Sequence, residues 1–346
     1  MTSVEGNSAR DIHSRALIID GLVFRCDGSD ELFRKANVAA VNITVSGFLA
    51  DFEEASDDIA AWLARTSDPG SCWRIVRNVE DIHVARREGK TGLIMGWQNM
   101  RPISDRLERL GFFHRLGIRI MQLTYNERNF IGDGCLEPAD EGLSLFGGSV
   151  VSEMNRLGIA IDLSHVGHRS ARDAVEVSTA PVLLTHANSK AISDVPRNKS
   201  DDLMKAVAAK GGLVGLSVYG PMCWTGDPSR RPSLHDFYRH LEHVVGLVGP
   251  EHVSLGTDFP AVADLSSVGS IIQMTLNRYP AAISNYAAAF GNDVRTRYLS
   301  DCGSPDELGN VTRLLVAKGW KEDDITAFLG RNYLRVLRTI WSSNEM

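Results

Sequence analysis

The sequence predicts a (β/α)8 barrel of the TIM type with extra C-terminal helices, and three observations predict it. Eight short apolar runs recur along the 346 residues. Stretches with helical spacing separate most of them. The residues that close several of the runs are polar and chemically capable, and the C-terminal ends of the strands are where such a barrel keeps its site.

The runs are residues 16–20, 39–45, 92–97, 118–125, 159–164, 182–186, 213–218 and 253–257. They are continuous rather than alternating, the pattern of parallel strands buried on both faces. Between the fourth and fifth, Phe146, Val150, Met154 and Leu157 fall on one helix face, and Gly158 follows as a stop. Residues 171–176 give a second helix between the fifth and sixth. The barrel core then covers about residues 16–262. Residues 263–346 read as a helical extension packed outside the barrel, with helices at 310–318 and 323–338. No Pro/Gly/Ser linker divides the chain, so residues 1–346 read as one domain.

Composition narrows the partners. The chain is 43% hydrophobic and 23% charged, an ordinary soluble profile. A net charge of −6 argues against nucleic acid or an anionic membrane surface. No apolar run approaches the roughly 20 residues of a membrane span, and the first residues carry no apolar core of a secretory signal. Cys26, Cys72, Cys135, Cys223 and Cys302 are odd in number, scattered and free of a CxxC pair. They read as reduced thiols of a cytoplasmic protein. The expected partner is a small molecule.

The strand-end residues are Leu22, Phe24, Gln98, Tyr125, Asn126, His165, His186, Tyr219 and Asp258. His165 and His186 each follow a buried-strand run, and Asp258 ends a third. Two imidazoles and a carboxylate suit Zn²⁺, which takes nitrogen and oxygen ligands in a tetrahedral shell. Trp97 abuts Gln98 and reads as lining the pocket, with Tyr219 in the substrate wall. The remaining histidines, His83 and His240 among them, read as surface residues. Lys190, Lys199, Arg230 and Arg231 read as solvated charges.

Several segments in order resemble the renal (membrane) dipeptidase family of zinc peptidases. They are Gln122-Leu123-Thr124-Tyr125-Asn126, Glu153-Met154-Asn155-Arg156-Leu157-Gly158, Asp162-Leu163-Ser164-His165-Val166, Thr185-His186-Ala187-Asn188, Pro196-Arg197-Asn198 and Gly256-Thr257-Asp258-Phe259. The resemblance implies an amidohydrolase-type barrel that hydrolyses dipeptides, and a homodimer. It makes His165 and His186 metal ligands and Asp258 the carboxylate that handles the water proton. It makes Arg197 the grip on the substrate carboxylate, whose planar fork suits a bidentate partner.

The departures from that pattern are grouped at the metal. After the first strand the family carries a His-x-Asp pair behind Asp-Gly; here Asp20-Gly21 is followed by Leu22 and Phe24. The family's metal-bridging glutamate is Gln98, and its substrate-binding histidine is Tyr125. The expected enzyme is therefore a divergent, zinc-dependent amidohydrolase. One Zn²⁺ would sit on His165, His186 and Asp258, with Gln98 alongside; two ions are the other possibility. Asp258 and Tyr125 are the expected catalytic groups, and Arg197, Tyr125, Tyr219, Asn126 and Trp97 the substrate contacts. Glu137, Cys135, Cys26 or Asp20 could replace a lost ligand. The apolar Leu22 and Phe24 favour an N-substituted amino acid over a plain dipeptide, because a free ammonium wants a carboxylate neighbour. The alternative is a metal-free binding or proton-transfer enzyme on the same barrel.

Overall fold

The computed structural model describes residues 3–27, 30–227, 229–262 and 297–342. Its strands are β1 (Ile18–Asp27), β2 (Val38–Thr44), β3 (Trp73–Ile75), β4 (Thr91–Trp97), β5 (Ile118–Gln122), β6 (Ala160–Asp162), β7 (Leu183–Leu184), β8 (Leu213–Leu216), β9 (Val253–Leu255) and β10 (Phe259–Val262). The helices are α1 (Ser3–Arg15), α2 (Asp30–Lys35), α3 (Phe52–Ser67), α4 (Val79–Arg87), α5 (Glu108–Leu116), α6 (Leu145–Leu157), α7 (His168–Val177), α8 (Asp201–Ala209), α9 (Leu234–Val248), α10 (Gly309–Ala317), α11 (Glu322–Thr326) and α12 (Asn332–Trp341).

The strands pair in parallel in the order β10-β1-β2-β4-β5-β6-β7-β8-β9, and β3 adds to the start of β4. β9 bonds β8 on one side and β10 bonds β1 on the other. They form one stave, interrupted at residues 256–258, so the sheet closes as the expected eight-stave barrel. The interruption is sharp because Asp258 holds a left-handed φ of 61°. The eighth run therefore stops as a strand at Leu255, two residues earlier than its apolar pattern. The helix expected before Gly158 is α6, and Gly158 caps it at φ 65°, a conformation that glycine adopts without steric cost.

The C-terminal part departs from its expected position. Residues 263–296 lie outside the described residues. α12 does not pack outside the ring of staves but covers the barrel's N-terminal end. Its Tyr333, Leu337 and Ile340 join Ile19, Ala40, Ile94, Ile120, Ala160 and Leu213 in one buried cluster. Gly330 makes the approach possible, since a Cβ there would stand 1.9 Å from the Leu17 carbonyl oxygen. Asn332 fastens the helix by donating to the carbonyls of Pro250 (2.8 Å) and Val253 (2.9 Å). The floor is thus sealed, and the polar strand ends gather at the opposite mouth.

Candidate active site

Two buried carboxylates build the mouth, and they do so in the same way. Asp162 at the end of β6 accepts from Ser164 N (3.0 Å), Ser164 Oγ (2.5 Å), Thr185 N (3.1 Å) and Thr185 Oγ1 (2.7 Å). Asp20 in β1 accepts from Leu22 N (3.2 Å), Thr257 N (2.8 Å) and Thr257 Oγ1 (2.6 Å). Each carboxylate ties its own strand to a threonine of a neighbouring stave, and the residue after that threonine, His186 or Asp258, follows it toward the site. Burial pushes both carboxyls up, Asp20 to about 6. Their hydrogen bonds oppose the shift.

His165 and His186 leave adjacent staves with their Nε2 atoms 3.1 Å apart. Their tautomers follow from what the other ring nitrogens meet. Asn126 Oδ1 accepts from His165 Nδ1 at 2.7 Å. Thr185 Oγ1 gives its proton to Asp162 and so accepts from His186 Nδ1, also at 2.7 Å. Both Nε2 atoms therefore carry lone pairs. Burial holds both imidazoles neutral, well below the usual histidine range, and the Arg197 charge adds to this. Between them stands the Gln98 amide nitrogen, 3.3 Å from His165 Nε2 and 3.2 Å from His186 Nε2. Its two hydrogens face the two lone pairs, while Thr44 donates to its oxygen at 3.1 Å. Tyr125 stacks on the His165 ring at 4.2 Å, and Phe48 stacks on Tyr125 at 4.3 Å.

The fit of this donor set to zinc rests on two imidazoles. Zn–N bonds of about 2.0–2.1 Å in a tetrahedral shell put neighbouring donors about 3.3 Å apart, close to the observed 3.1 Å. It does not extend further. Among the described residues no group of three His, Cys, Asp or Glu side chains is gathered to hold a metal ion, so Asp258 does not complete a shell with the histidines. Gln98 presents hydrogens, not a ligand oxygen. Leu22 is buried and Phe24 packs against the core. The expected replacements are committed elsewhere. Asp20 is a brace, Glu137 accepts from Arg128 N at 2.6 Å, and Cys135 Sγ reaches Asn126 Oδ1 at 3.6 Å. The Cys26 side chain lies outside the described residues.

Asp258 is held from two directions. Its N–H donates to Leu22 O at 2.9 Å, and the buried Tyr298 hydroxyl donates to its carbonyl at 2.5 Å. Burial pushes the Asp258 carboxyl up to about 7; the Arg197 guanidinium opposes this, and the Asp20 and Asp162 carboxylates add to it. Arg197 donates to the carbonyls of Ser164 and, at 3.4 Å, His186, which places its fork against both histidine strand ends. Tyr219 accepts from Arg297 at 3.0 Å and meets the Tyr298 ring at 5.5 Å.

Four expected placements change. Trp97 points away from the mouth and packs edge-on against Phe113 of α5 at 4.7 Å, because successive strand side chains face opposite sides and Gln98 takes the inner one. Asn126 Oδ1 is engaged by His165 and holds its tautomer. His240 and Lys199 are not solvated. His240 Nδ1 accepts from Ser189 N at 3.1 Å, and burial drives it down to about 3. Lys199 Nζ donates to Val166 O at 2.5 Å, and burial lowers it to about 8. The sequence reading missed Thr185, Tyr298 and Arg297. The shared Thr185-His186 and Thr257-Asp258 pairs are the signal that could have found the first. Nothing local marks Tyr298 or Arg297, which lie far beyond Asp258 in the chain.

Residues 50–281, two thirds of the chain, match the family described as membrane dipeptidase, peptidase family M19. The dipeptidase aclJ of Aspergillus oryzae is 30% identical over 72% of this chain and 60% of its own length. An uncharacterized dipeptidase of Schizosaccharomyces pombe is 28% identical over 76% of this chain and 61% of its own. The matches thus span about three fifths of those relatives. A crystal structure of an amidohydrolase from Pseudomonas aeruginosa superposes with a TM-score of 0.85 at 31% identity, covering 96% of this chain and 99% of that one. The chain belongs to the membrane dipeptidase family, peptidase family M19.

Proposed function

We propose that this chain hydrolyses the amide bond of a small carboxylate-bearing molecule with one zinc ion. The observation that carries the reading is the pair of Nε2 lone pairs on His165 and His186, fixed 3.1 Å apart at the barrel mouth. The family, and relatives named as dipeptidases, support a peptide-type amide as the bond cleaved. When bound, zinc supplies a Lewis acid for the amide carbonyl and a water acidified toward a pKa of about 7.

The chain's own residues do the rest. His165 and His186 hold the ion, and Asn126 and Thr185 keep both lone pairs turned toward it. Asp258, with its carboxyl pushed up to about 7, exchanges a proton near neutral pH. Arg197 has three N–H groups left beyond its two carbonyl bonds, and these take the substrate carboxylate. Leu22 and Phe24 offer no partner to a free ammonium, so an N-acyl or N-alkyl amino acid is turned over before a plain dipeptide. One observation favours a second reading, a metal-free binding or proton-transfer enzyme: Gln98 already satisfies both imidazole lone pairs.

The test pairs metal content by plasma mass spectrometry, on protein purified without added metal, with a panel of dipeptides and N-acyl amino acids. Zinc in the purified chain together with turnover of N-acyl substrates is expected. Rapid turnover of plain dipeptides alone sinks the substrate assignment. Absence of zinc after soaking moves the assignment to the second reading.

A further inference from the structure

We infer that Gln98 is a built-in competitor for the metal position, so that this centre takes up a cation only by displacing its own amide. The inference rests on the reading of His165 and His186 as ligands. Two imidazole lone pairs 3.1 Å apart repel each other unless some group is positive toward both. A cation can be, and so can a group with a hydrogen for each, a water or an NH2. Gln98 supplies the NH2, 3.3 and 3.2 Å from the two nitrogens.

The orientation of the amide does not depend on Gln98 alone. Asn126 and Thr185 set the imidazole tautomers, so only a donor or a cation can face them. Thr44 independently holds the amide oxygen on the other side. Gln98 is 4% exposed, so the amide cannot exchange these bonds for water without moving. A glutamate here would act in the opposite sense. It has no hydrogens for the lone pairs, and its charge attracts the ion. The change from carboxylate to carboxamide at this one position therefore converts a group that recruits metal into one that competes with it.

Zinc affinity decides the matter, measured by competition with a chromophoric chelator on the full chain. The variants are Gln98→Ala and Gln98→Glu, with histidine side-chain ¹⁵N shifts as the second readout. Gln98→Ala is expected to bind zinc roughly tenfold to a hundredfold tighter than wild type, the net strength of the two hydrogen bonds removed. The zinc-free wild type is expected to show both imidazoles as Nδ1–H tautomers. Equal or weaker zinc binding by Gln98→Ala overturns the inference and makes Gln98 an ordinary ligand or a bystander. Zinc binding by none of the three, Gln98→Glu included, overturns the metal reading and the inference with it. If Gln98→Ala fails to fold, Thr44→Val asks the same question by freeing the amide oxygen, and tighter zinc is again the supporting result.

Discussion

Replacing Asp20 by asparagine should stabilise this protein at neutral and alkaline pH, although Asp20 makes three hydrogen bonds. The Asp20 carboxyl, ordinarily at 3.8, is raised by burial to about 6. A gap of about two pH units corresponds to about 3 kcal/mol against the ionised form. The sign follows from proton binding. Between those two values the folded state holds a proton that the unfolded state has lost. Wild-type stability from this group is therefore greatest below 3.8, and it falls as pH rises through 6. Asparagine keeps the acceptor for Leu22 N and Thr257 N. Its amide would face Thr257 Oγ1, whose proton can turn to Leu22 O, 3.3 Å away. Urea unfolding of both proteins at about pH 8 and about pH 4.5 checks the argument. The variant should gain up to about 3 kcal/mol at the higher pH and progressively less toward the lower. A variant less stable than wild type at pH 8 by about 1 kcal/mol, or a gap that does not shrink on acidification, would refute it.

Two further substitutions probe the mouth. Thr185→Val keeps shape but removes the acceptor of His186 Nδ1 and a donor to Asp162. It should destabilise by about 2–4 kcal/mol, shift His186 toward the Nε2–H tautomer and weaken zinc uptake; a loss below about 0.5 kcal/mol in denaturant titration would contradict the network. Tyr298→Phe deletes the hydrogen bond to the Asp258 carbonyl. It should cost about 1 kcal/mol and lower kcat more than it raises KM, since Asp258 can then relax from its left-handed backbone. An unchanged kcat would remove Tyr298 from the positioning of Asp258.

The barrel was legible because its staves are buried on both faces, and burial writes itself as continuous apolar runs. The histidines and Asp258 were legible because each closes such a run. Position along a run does not tell which side of the sheet a residue faces, and so Trp97 was placed in the pocket that Gln98 occupies. Polar residues in the interior escape composition arguments altogether. His240 and Lys199 look like surface residues until the carbonyls and amides that satisfy them are seen. Tyr298 and Arg297 reach the site across a large sequence separation, which no local pattern encodes. The repeated threonine before His186 and Asp258 stands in the sequence, but its bond to Asp162 or Asp20 on a neighbouring stave is seen only in the fold.

The sealing of the barrel floor by α12 bears on how the chain is made. Ile19 emerges from the ribosome more than 300 residues ahead of Tyr333, Leu337 and Ile340, yet they share one buried cluster. The first staves must therefore wait with an open apolar end until translation has passed residue 341. Contacts of such long sequence separation form slowly and leave intermediates prone to aggregation. A nonsense codon ahead of α12 should thus yield an insoluble or rapidly degraded chain, even though every strand-end residue of the mouth has already been translated.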